Sequence, residues 1–436
     1  MPPAAKTTRR DALRCGAAAT LAAARALAPA LFAGCSLGIP PRAKTVTVGL
    51  LHSQTGPLAI SATSLRDIQL HAFEQINAAG GMLGRQIEVR APDTRSQTNL
   101  FPKRALQVLD AGAVAAFGCW TSASRKAVLP IFEEAKKLLF YAVQYEGNES
   151  SPYVVYGGTV PNQQIMPTLD WLASAAGGLR KKLFLVGSDL VFPRTANFVA
   201  KKHLKAQAKE LHVVGEEYLP LGDRNFSGVV RKILDAGADC VLSTVNGDSN
   251  LGLFAALAEA QVDPRKIPVV STSIGEDELR SLLPSQVTGH YASGCYFQSL
   301  DTPANRTWID GFRKEFGYDR VTDDPMEPGW CLVHLWKQAV EKAGSFDTAA
   351  VRQVFREGLE FAGPGGPVRL DPKTQHTSKF FRMGRIRSDR QFDIVQASPE
   401  PIVADPYPEV AFPGWSVDWT KDGVTRGAEV DIDGEV

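Results

Sequence analysis

The chain has 436 residues, of which 44% are hydrophobic and 22% charged, a balance typical of a soluble globular protein with room for two domains. Its 48 basic and 47 acidic residues give a net charge of +1, which argues against the basic surface that a nucleic-acid partner demands. The six cysteines form neither a CxxC pair nor a His–Cys cluster, so the sequence predicts no metal site, no cofactor and no disulfide scaffold, although one bridge among the last four stays open.

Residues 1–35 have the pattern of an export signal. Two arginines stand at 9–10, an apolar Ala/Leu-rich run follows over 17–33, and the sequence LFAGC ends it at Cys35. Basic, apolar and small-residue regions in this order predict export, by the general secretory or the twin-arginine route, with Cys35 as a candidate for lipidation. A lipid there would hold the protein at a membrane surface, with residues 36–44 as a tether. The alternative is an uncleaved, arginine-bearing helix.

From residue 45 onward, apolar runs of strand length alternate with helical periodicity. The first series has predicted strands at 45–51, 86–91, 113–117, 138–141 and 153–156, and predicted helices at 62–79, at 100–110, after a cap at Ser122 or Ser124, and at 161–175. The second series has predicted strands at 182–187, 212–218, 239–245 and 267–271, and predicted helices at 193–207, 226–235 and up to 260. Each series indicates a doubly wound α/β lobe.

A third segment closes the chain. It has a predicted strand at 290–297, helices at 303–316, 326–343 and 348–355, strands at 368–370, 380–387 and 392–396, and an extended tail from Pro399. The tail is rich in Pro, Asp and Gly, which favours a surface path without regular structure.

The stretch from Ala113 to Gly147 has the pattern of strand, tight turn, helix, strand and aromatic-rich loop. In a parallel sheet both strand ends open onto one crevice, where ligands of such folds bind. Hydroxyls and free helix N–H groups there would bind a small polar ligand, and aromatic rings would exclude water. The alternative is a packed βαβ unit without a ligand. The candidate pocket residues are Trp120, Thr121, Ser122, Tyr141, Val143, Gln144 and Tyr145.

Longer stretches of the chain resemble periplasmic binding proteins of the branched-chain amino-acid and amide type. They include GLLHSQTGPLAIS at 49–61, WTSASRKAVLPIFE at 120–133, QYEG at 144–147, PNQQIMP at 161–167, VGSDLVFPRTAN at 186–197, STVNGDSN at 243–250 and DRVTDDPME at 319–327. Within this class the chain is most similar to the urea-binding proteins of urea ABC transporters, with the short-chain amide sensors as near relatives. The resemblance extends over about residues 45–408.

The resemblance implies the type I periplasmic binding protein fold: two doubly wound parallel-sheet α/β lobes joined by a three-strand hinge, closing over a ligand. The first lobe is expected at 45–162 plus 288–362. The second is expected at 163–287 plus 363–410, and a C-terminal tail at 411–436.

The resemblance also implies the ligand contacts. Ser122 and the helix N–H groups would donate to a carbonyl, while Tyr141, backbone carbonyls or a carboxylate would accept from NH₂ groups. We add Glu327 to the expected ligand-binding residues because it stands just before the helix turn at Trp330. The expected ligand-binding residues are Trp120, Ser122, Tyr141, Val143 and Gln144 in the first lobe, Leu190, Phe192, Asn246 and Glu276 in the second, and Glu327.

Two residues depart from the urea-binding pattern. Leu190 stands where urea and amide binders usually carry Tyr, and Trp330 follows Pro328-Gly329 where two small residues and Tyr are usual. Losing a phenol removes a hydroxyl that an amide would use, and Leu190 makes the wall more apolar. These differences favour a different or larger amide as the alternative to urea.

The resemblance implies an extracytoplasmic protein that hands urea or a short-chain amide to an ABC permease in the membrane. One alternative is a cytoplasmic amide sensor of the same fold, which would lack the leader. Another is a binder of a ligand like a branched-chain amino acid. An amidase would need a nucleophile with a base, yet none of the seven histidines lies in a motif with Ser or Cys, and Cys119 is expected to be buried and structural.

Overall fold

The first predicted series folds into a parallel sheet. The computed structural model describes residues 45–207, 210–419, 421, 423–428 and 430, so the predicted export signal and Cys35 lie outside the described residues. The elements of the series are, in chain order, β1 (Thr45–Leu51), α1 (Ala59–Ala78), β2 (Gln86–Arg90), α2 (Phe101–Asp110), β3 (Ala113–Gly118), α3 (Ser122–Ala135), β4 (Leu138–Tyr141) and β5 (Val154–Tyr156). The sheet order is β2-β1-β3-β4-β5, and every neighbouring pair is parallel.

The second series begins with a 3₁₀ turn at Pro161–Gln163. It continues as α4 (Ile165–Ala173), β6 (Lys182–Ser188), α5 (Val191–Gln207), β7 (His212–Leu219), α6 (Ser227–Asp235), β8 (Cys240–Thr244), α7 (Ser249–Glu259), β9 (Val269–Ser271), α8 (Glu276–Arg280), α9 (Pro284–Val287) and β10 (Tyr291–Gly294). The last elements are α10 (Pro303–Phe316), α11 (Met326–Ala343), α12 (Thr348–Phe355), β11 (Leu359–Gly363), β12 (Gly366–Leu370), β13 (Arg382–Ile386), β14 (Phe392–Ala397), β15 (Ser416–Asp418) and β16 (Gly423–Thr425).

The second sheet has seven strands in the order β14-β13-β10-β9-β8-β6-β7. Strand β13 is antiparallel to both of its neighbours, and the other pairs are parallel. Strand β10 was expected in the first-lobe segment 288–362, and this is wrong: it pairs with β9 and β13, so the chain leaves the second lobe only after Gly294. Helices α10 and α11 then pack against α1, which returns this segment to the first lobe.

The chain passes between the lobes three times, after β5, after β10 and after β12. This is the predicted α/β fold of two parallel-sheet lobes joined by three connections. The inner strands β3, β4, β6, β8 and β9 are buried on both faces, which explains their apolar runs, whereas the edge strands β2, β7 and β14 are partly exposed. In the first lobe Phe117 stacks on Phe140 with ring centroids 4.5 Å apart, and Trp336 of α11 packs edge-on against both rings.

The C-terminal tail is anchored over its first part. Pro406 O accepts a hydrogen bond of 2.7 Å from Asn148 N, and Tyr407 and Phe412 pack against Phe198 of α5. The predicted tail without regular structure also contains a short hairpin of β15 and β16. In the part of the chain that the structure describes, no helix combines the length and apolarity needed to cross a bilayer. Its four cysteines are buried free thiols.

Each sheet has one point at which the strand order reverses. In the first sheet the next two strands of the chain, β2 and β3, pair on opposite sides of β1. In the second sheet β7 and β8 pair on opposite sides of β6 in the same way. Such topological switch points open a crevice at the carboxyl ends of the strands. The segments that follow β3, β6 and β8 therefore meet where a ligand would bind.

Candidate functional site

A cleft lies between the two lobes at these switch points. It encloses about 260 Å³ of empty space, of which about 10 Å³ is open to the centre of a water molecule. The structure brings together eight of the predicted ligand-binding residues here, with Thr121 beside them. The lining residues are Trp120, Thr121, Ser122, Tyr141, Val143, Gln144, Leu190, Phe192 and Asn246. In the present conformation this space holds about one water molecule, so the lobes must open to admit a ligand.

The turn after β3 positions the first-lobe side chains. Gly118 and Cys119 both have positive φ, at 138° and 67°, and Cys119 N donates to Leu51 O at 2.9 Å. The helix cap expected at Ser122 or Ser124 is wrong, because Thr121 is the N-cap and its Oγ1 accepts from Ser124 N at 3.1 Å. Ser122 is therefore the first residue of α3, and the capped first turn of this helix holds it in place at the cleft.

The floor of the cleft is a buried ion cluster. The guanidinium of Arg125 lies 4.5 Å from the ring centroid of Tyr141 and 4.4 Å from that of Tyr145, with no exposed surface. Its Nε donates to Glu149 at 2.5 Å, and its Nη2 is 3.4 Å from Glu146. Burial of Glu149 disfavours its ionised form, but the charges and hydrogen bonds of Arg125 and Lys126 together outweigh burial and lower the pKa of Glu149 to about 2. Cation–π contacts and paired charges hold this floor rigid.

Hydrogen bonds within the protein already use the hydroxyl protons at the cleft. Ser122 Oγ donates to Glu146 Oε2 at 2.5 Å, and Tyr141 Oη donates to Trp120 O at 2.8 Å. Gln144 Nε2 donates to Thr272 O at 3.1 Å and to Ser273 Oγ at 2.8 Å, across to the second lobe. Each of these groups keeps an acceptor oxygen for a ligand. Sequence reasoning assigned Ser122 as a donor, and its bond to Glu146 makes it an acceptor here.

Two other polar atoms at the cleft are buried without a partner among the described residues. They are the indole Nε1 of Trp120, which can only donate, and Oε1 of Gln144, which can only accept. Buried polar atoms are nearly always paired in folded proteins, so these two atoms mark positions where a ligand or water would bind.

Glu276 lies not in the cleft but in a neighbouring acidic cavity, defined here by Glu276, Glu278, Asp323 and Asp324 and enclosing about 410 Å³ of empty space. Trp120 and Gln144 line both spaces. Burial raises the pKa of Glu276 to about 8 and that of Glu278 to about 7. Burial also raises the pKa values of Asp323 and Asp324.

The structure does not bring Glu327 to the cleft. It lies in the first turn of α11, where its carboxylate is 2.9 Å from Nζ of Lys379 and accepts from Cys331 Sγ at 3.1 Å. Both charged groups are almost fully buried, and Glu327 lines a separate small cavity beside Gly365. A buried acid paired with a buried base has a structural role, and this ion pair holds the side chain of Glu327 away from the cleft.

Sequence reasoning missed the charged residues that support the site. They are Arg125, Glu146 and Glu149 below the cleft, and Glu278 and Asp323 in the acidic cavity. A signal was present: acidic residues in QYEGNE, GEDE and TDDP stand directly after strands or before helices in otherwise apolar surroundings. Charged residues are almost never fully buried unless paired or functional, which would have marked these segments.

The histidines and cysteines near the cleft have structural partners. Burial raises the pKa of the Cys119 thiol to about 12, so it is not the thiolate that a nucleophile requires. His52 bonds to Gln69 at 2.7 Å through Nε2. Over the described ranges, no group of three or more His, Cys, Asp or Glu side chains has an arrangement that could hold a metal ion.

Comparison with known proteins relates the chain to solute-binding proteins. The family model described as "Periplasmic binding protein domain" matches residues 46–412. Leu/Ile/Val-binding protein homolog 6 of Brucella melitensis is 25% identical over 353 residues, which cover 77% of this chain and 86% of that protein. A segment of 118 residues is 33% identical to limonene hydroxylase of Geobacillus stearothermophilus, but it covers 27% of this chain and only 21% of that protein.

Solved structures match the fold over nearly their whole length. A solute-binding protein of an ABC transporter from Rhodopseudomonas palustris BisB5, in complex with 3,4-dihydroxybenzoic acid, superposes with a TM-score of 0.74 at 20% identity, covering 83% of this chain and 99% of that one. The isoleucine complex of the branched-chain amino-acid binding protein LivJ from Streptococcus pneumoniae gives 0.69 at 18% identity, covering 81% and 99%. At this identity the likeness shows the fold. With the family match along most of its length, the chain belongs to the periplasmic binding protein family, with the type I fold.

Proposed function

We propose that this protein captures urea or a short-chain amide between its two lobes and delivers it to an ABC permease. The observation that carries the proposal is the hydrogen-bond polarity of the cleft. Ser122 and Tyr141 have given their protons to Glu146 and to Trp120 O, and Gln144 has used both amide protons, so three oxygens remain as acceptors. A ligand that satisfies them must be rich in N–H groups.

The same cleft offers few donors, which fits a single carbonyl. Trp120 Nε1 is buried without a partner among the described residues and can donate one hydrogen bond. The backbone N–H groups of the first turn of α3 are the second source, because a helix leaves its first N–H groups without intrahelical partners. Several acceptors with one or two donors are complementary to urea and to primary amides, which carry one carbonyl and one or two NH₂ groups.

Charge balance supports a neutral head group. None of the nine cleft-lining residues is charged. The cations beneath them, Arg125 and Lys126, are matched by Glu146 and Glu149. A carboxylate ligand would therefore meet no uncompensated positive charge in the cleft.

A second candidate ligand is an apolar acid, in line with the relatives named for leucine, isoleucine and valine or solved with hydroxybenzoates. The observation that favours it is the apolar second-lobe wall of Leu190 and Phe192. The N-terminus of α3 would then bind the carboxylate. The lobes would have to open further, because the cleft leaves room for little more than one water molecule.

Family membership implies an extracytoplasmic location. We further propose that the basic and apolar residues 1–35 direct export by the twin-arginine route and that Cys35 carries the lipid anchor. Fractionation of cells that produce the full chain or Cys35→Ser tests the anchor. The full chain should sediment with membranes, and the variant should be released. The same distribution for both proteins would exclude lipidation at Cys35. Retention of an intact leader in the cytoplasm would instead favour a sensor.

Isothermal titration of the mature chain tests the ligand. Urea, acetamide and N-methylurea should bind, while leucine and benzoate should not. Ser122→Ala and Tyr141→Phe each remove an acceptor and should weaken amide binding about tenfold. Ser285→Ala and Tyr318→Phe, at exposed positions outside the cleft, are the matched controls. Saturable binding of leucine or benzoate without any amide binding would replace the amide proposal with the apolar-acid candidate.

A further inference from the structure

The acidic cavity adjoins the cleft, and no part of the proposed function uses it. Trp120 and Gln144 belong to the walls of both spaces, so a ligand whose carbonyl lies in the cleft would have its other end beside the cavity. The cavity encloses about 410 Å³ of empty space, more than the about 260 Å³ of the cleft. Like the cleft, it leaves room for about one water molecule in the present conformation, so the lobes must open before it can receive a short chain extending from the amide.

The cavity walls carry acidic side chains and no base. Four carboxylates line it, and no lysine or arginine does. A fifth, Asp277, is buried on the same short helix as Glu276. Arg280, 3.6 Å from Asp277, compensates that acid outside the cavity wall, while Arg320 lies 2.9 Å from Asp67 and Lys379 lies 2.9 Å from Glu327.

Three acceptor oxygens on the cavity wall are buried without a partner in the described structure. They are Glu276 Oε2, Gln144 Oε1 and Ser293 Oγ, on side chains that are 1%, 6% and 4% exposed. The other oxygen of Glu276 is occupied, because it accepts from Gln298 N at 2.7 Å. Orphaned buried acceptors beside excess carboxylates are complementary to a cation that donates hydrogen bonds.

The arrangement suits a protonated nitrogen better than a metal ion. A hard metal cation requires several oxygen ligands that converge at about 2.0–2.6 Å. Among the described residues, no group of acidic side chains has such an arrangement. An ammonium group needs only three acceptors at hydrogen-bond distance, in a looser geometry.

We propose that the acidic cavity is a second subsite that binds the protonated amine of a ligand whose amide head lies in the cleft. The preferred ligand class is then a short-chain amide that carries an amine two or three bonds from its carbonyl carbon. This inference rests on the proposed amide-binding function and narrows it.

Two near-isosteric amides test the inference on the wild-type mature chain. β-Alaninamide and butyramide have chains of equal length, and they differ in a terminal ammonium against a terminal methyl group. Titration at pH 7 should show β-alaninamide binding about tenfold more tightly, since a charge-assisted hydrogen bond to a buried acceptor is gained. β-Alanine, which has a carboxylate in place of the amide, should bind more weakly than β-alaninamide.

Glu276→Gln replaces an acid that can give up its proton when an ammonium group binds with an amide that cannot, and it changes the shape little. The affinity ratio of β-alaninamide to butyramide should fall from about tenfold to within about threefold. Glu259→Gln, at an exposed position on α7, is the control and should leave the ratio unchanged. A ratio that persists in Glu276→Gln would overturn the assignment of the subsite.

The wild-type measurement separates the two proposals if the variant does not fold. Binding of butyramide, acetamide or urea with equal or weaker binding of β-alaninamide would overturn the second subsite and leave the amide proposal intact. Binding of none of these amides would overturn the amide proposal, and the subsite with it. Displacement of β-alaninamide by millimolar Ca²⁺ or Mg²⁺ would indicate a metal site instead of an amine site.

Discussion

The cleft floor and the acidic cavity both bury carboxylates, but they stabilise them in opposite ways. In the floor, Glu149 has Arg125 and Lys126 within hydrogen-bond distance, and its pKa is lowered to about 2. In the cavity, Glu276 meets other acids and no lining cation, and burial raises its pKa to about 8. A buried acid with its own base is part of the scaffold, whereas one without a base is available to a ligand.

Arg125→Met should destabilise the buried ion cluster that forms the cleft floor. The change removes the buried cation, leaves Glu146 uncompensated and leaves Glu149 with only the partly exposed Lys126, so we expect the free energy of unfolding to fall by about 3–5 kcal/mol. Calorimetric unfolding at pH 7 measures this loss. An unchanged transition would show that the carboxylates do not depend on the guanidinium.

The stability contributions of the cleft floor and of the acidic cavity depend on pH with opposite signs, and acid titration tests the floor. The pKa of Glu149 is lower in the folded protein than its ordinary value of 4.5, so its contribution to stability is complete above pH 4.5 and is lost as the pH falls through about 2. We expect this loss to be about 2–3 kcal/mol. Glu149→Gln should flatten the dependence of unfolding temperature on pH in this range. A variant as acid-sensitive as the wild type would contradict the assignment.

Alkaline titration tests the cavity. The folded protein holds the proton of Glu276 more tightly than the unfolded chain, so its contribution is complete below pH 4.5 and is lost as the pH rises through about 8. Glu278, Asp277 and Asp323 are buried near it, Asp324 is half-buried, and all four act in the same direction. Glu276→Gln should therefore unfold less readily than the wild type at pH 9, by about 4 kcal/mol, while the two should be similar at pH 5.

The matched control for that titration is Glu259→Gln, at an exposed position of α7. Thermal unfolding of all three proteins at pH 5 and pH 9 gives the comparison. An equal loss of stability in Glu276→Gln and in the wild type between these pH values would show that Glu276 is not the titrating group.

Lys126→Met is the smallest expected change. Its Nζ is 2.9 Å from Glu149, but the side chain is 42% exposed, so solvent screens the pair. We expect a loss below about 1 kcal/mol, measured as for Arg125→Met. A loss as large as that of Arg125→Met would mean that the two cations contribute equally to the floor.

Much of the fold was predictable because its signals are local. The predicted helices 303–316, 326–343 and 348–355 match α10, α11 and α12 residue for residue, since apolar periodicity and the caps at Thr302 and Asp347 define them. Helix α8 was missed because it is five residues long and acidic, without an apolar stripe. Strand β10 was assigned to the wrong lobe because its pairing with β13 joins residues about ninety positions apart.

Most of the residues that line the cleft were also predictable from the sequence. Trp120, Ser122 and Leu190 follow buried parallel strands, and the geometry of such sheets brings these positions together. The direction of a side chain within a helix turn was not predictable. Glu327 was expected at the ligand, but Lys379, brought to it by the last connection between the lobes, holds its carboxylate elsewhere. The acids of the cavity come from α8 and from the segment before α11, and no local pattern relates them.

One contact of the tail restricts how this protein can evolve. Gly147 stands between Glu146 and Glu149 in the loop of the cleft floor, at a φ of 71°, and a side chain there would meet Pro406 O at 2.4 Å. Insertions, deletions or fused domains that displace Pro406 would therefore disturb the loop that holds Arg125. The positive φ alone disfavours any other residue at position 147, and the tail removes the space for a side chain as well. Changes in the C-terminal segment are thereby coupled to the loop below the cleft.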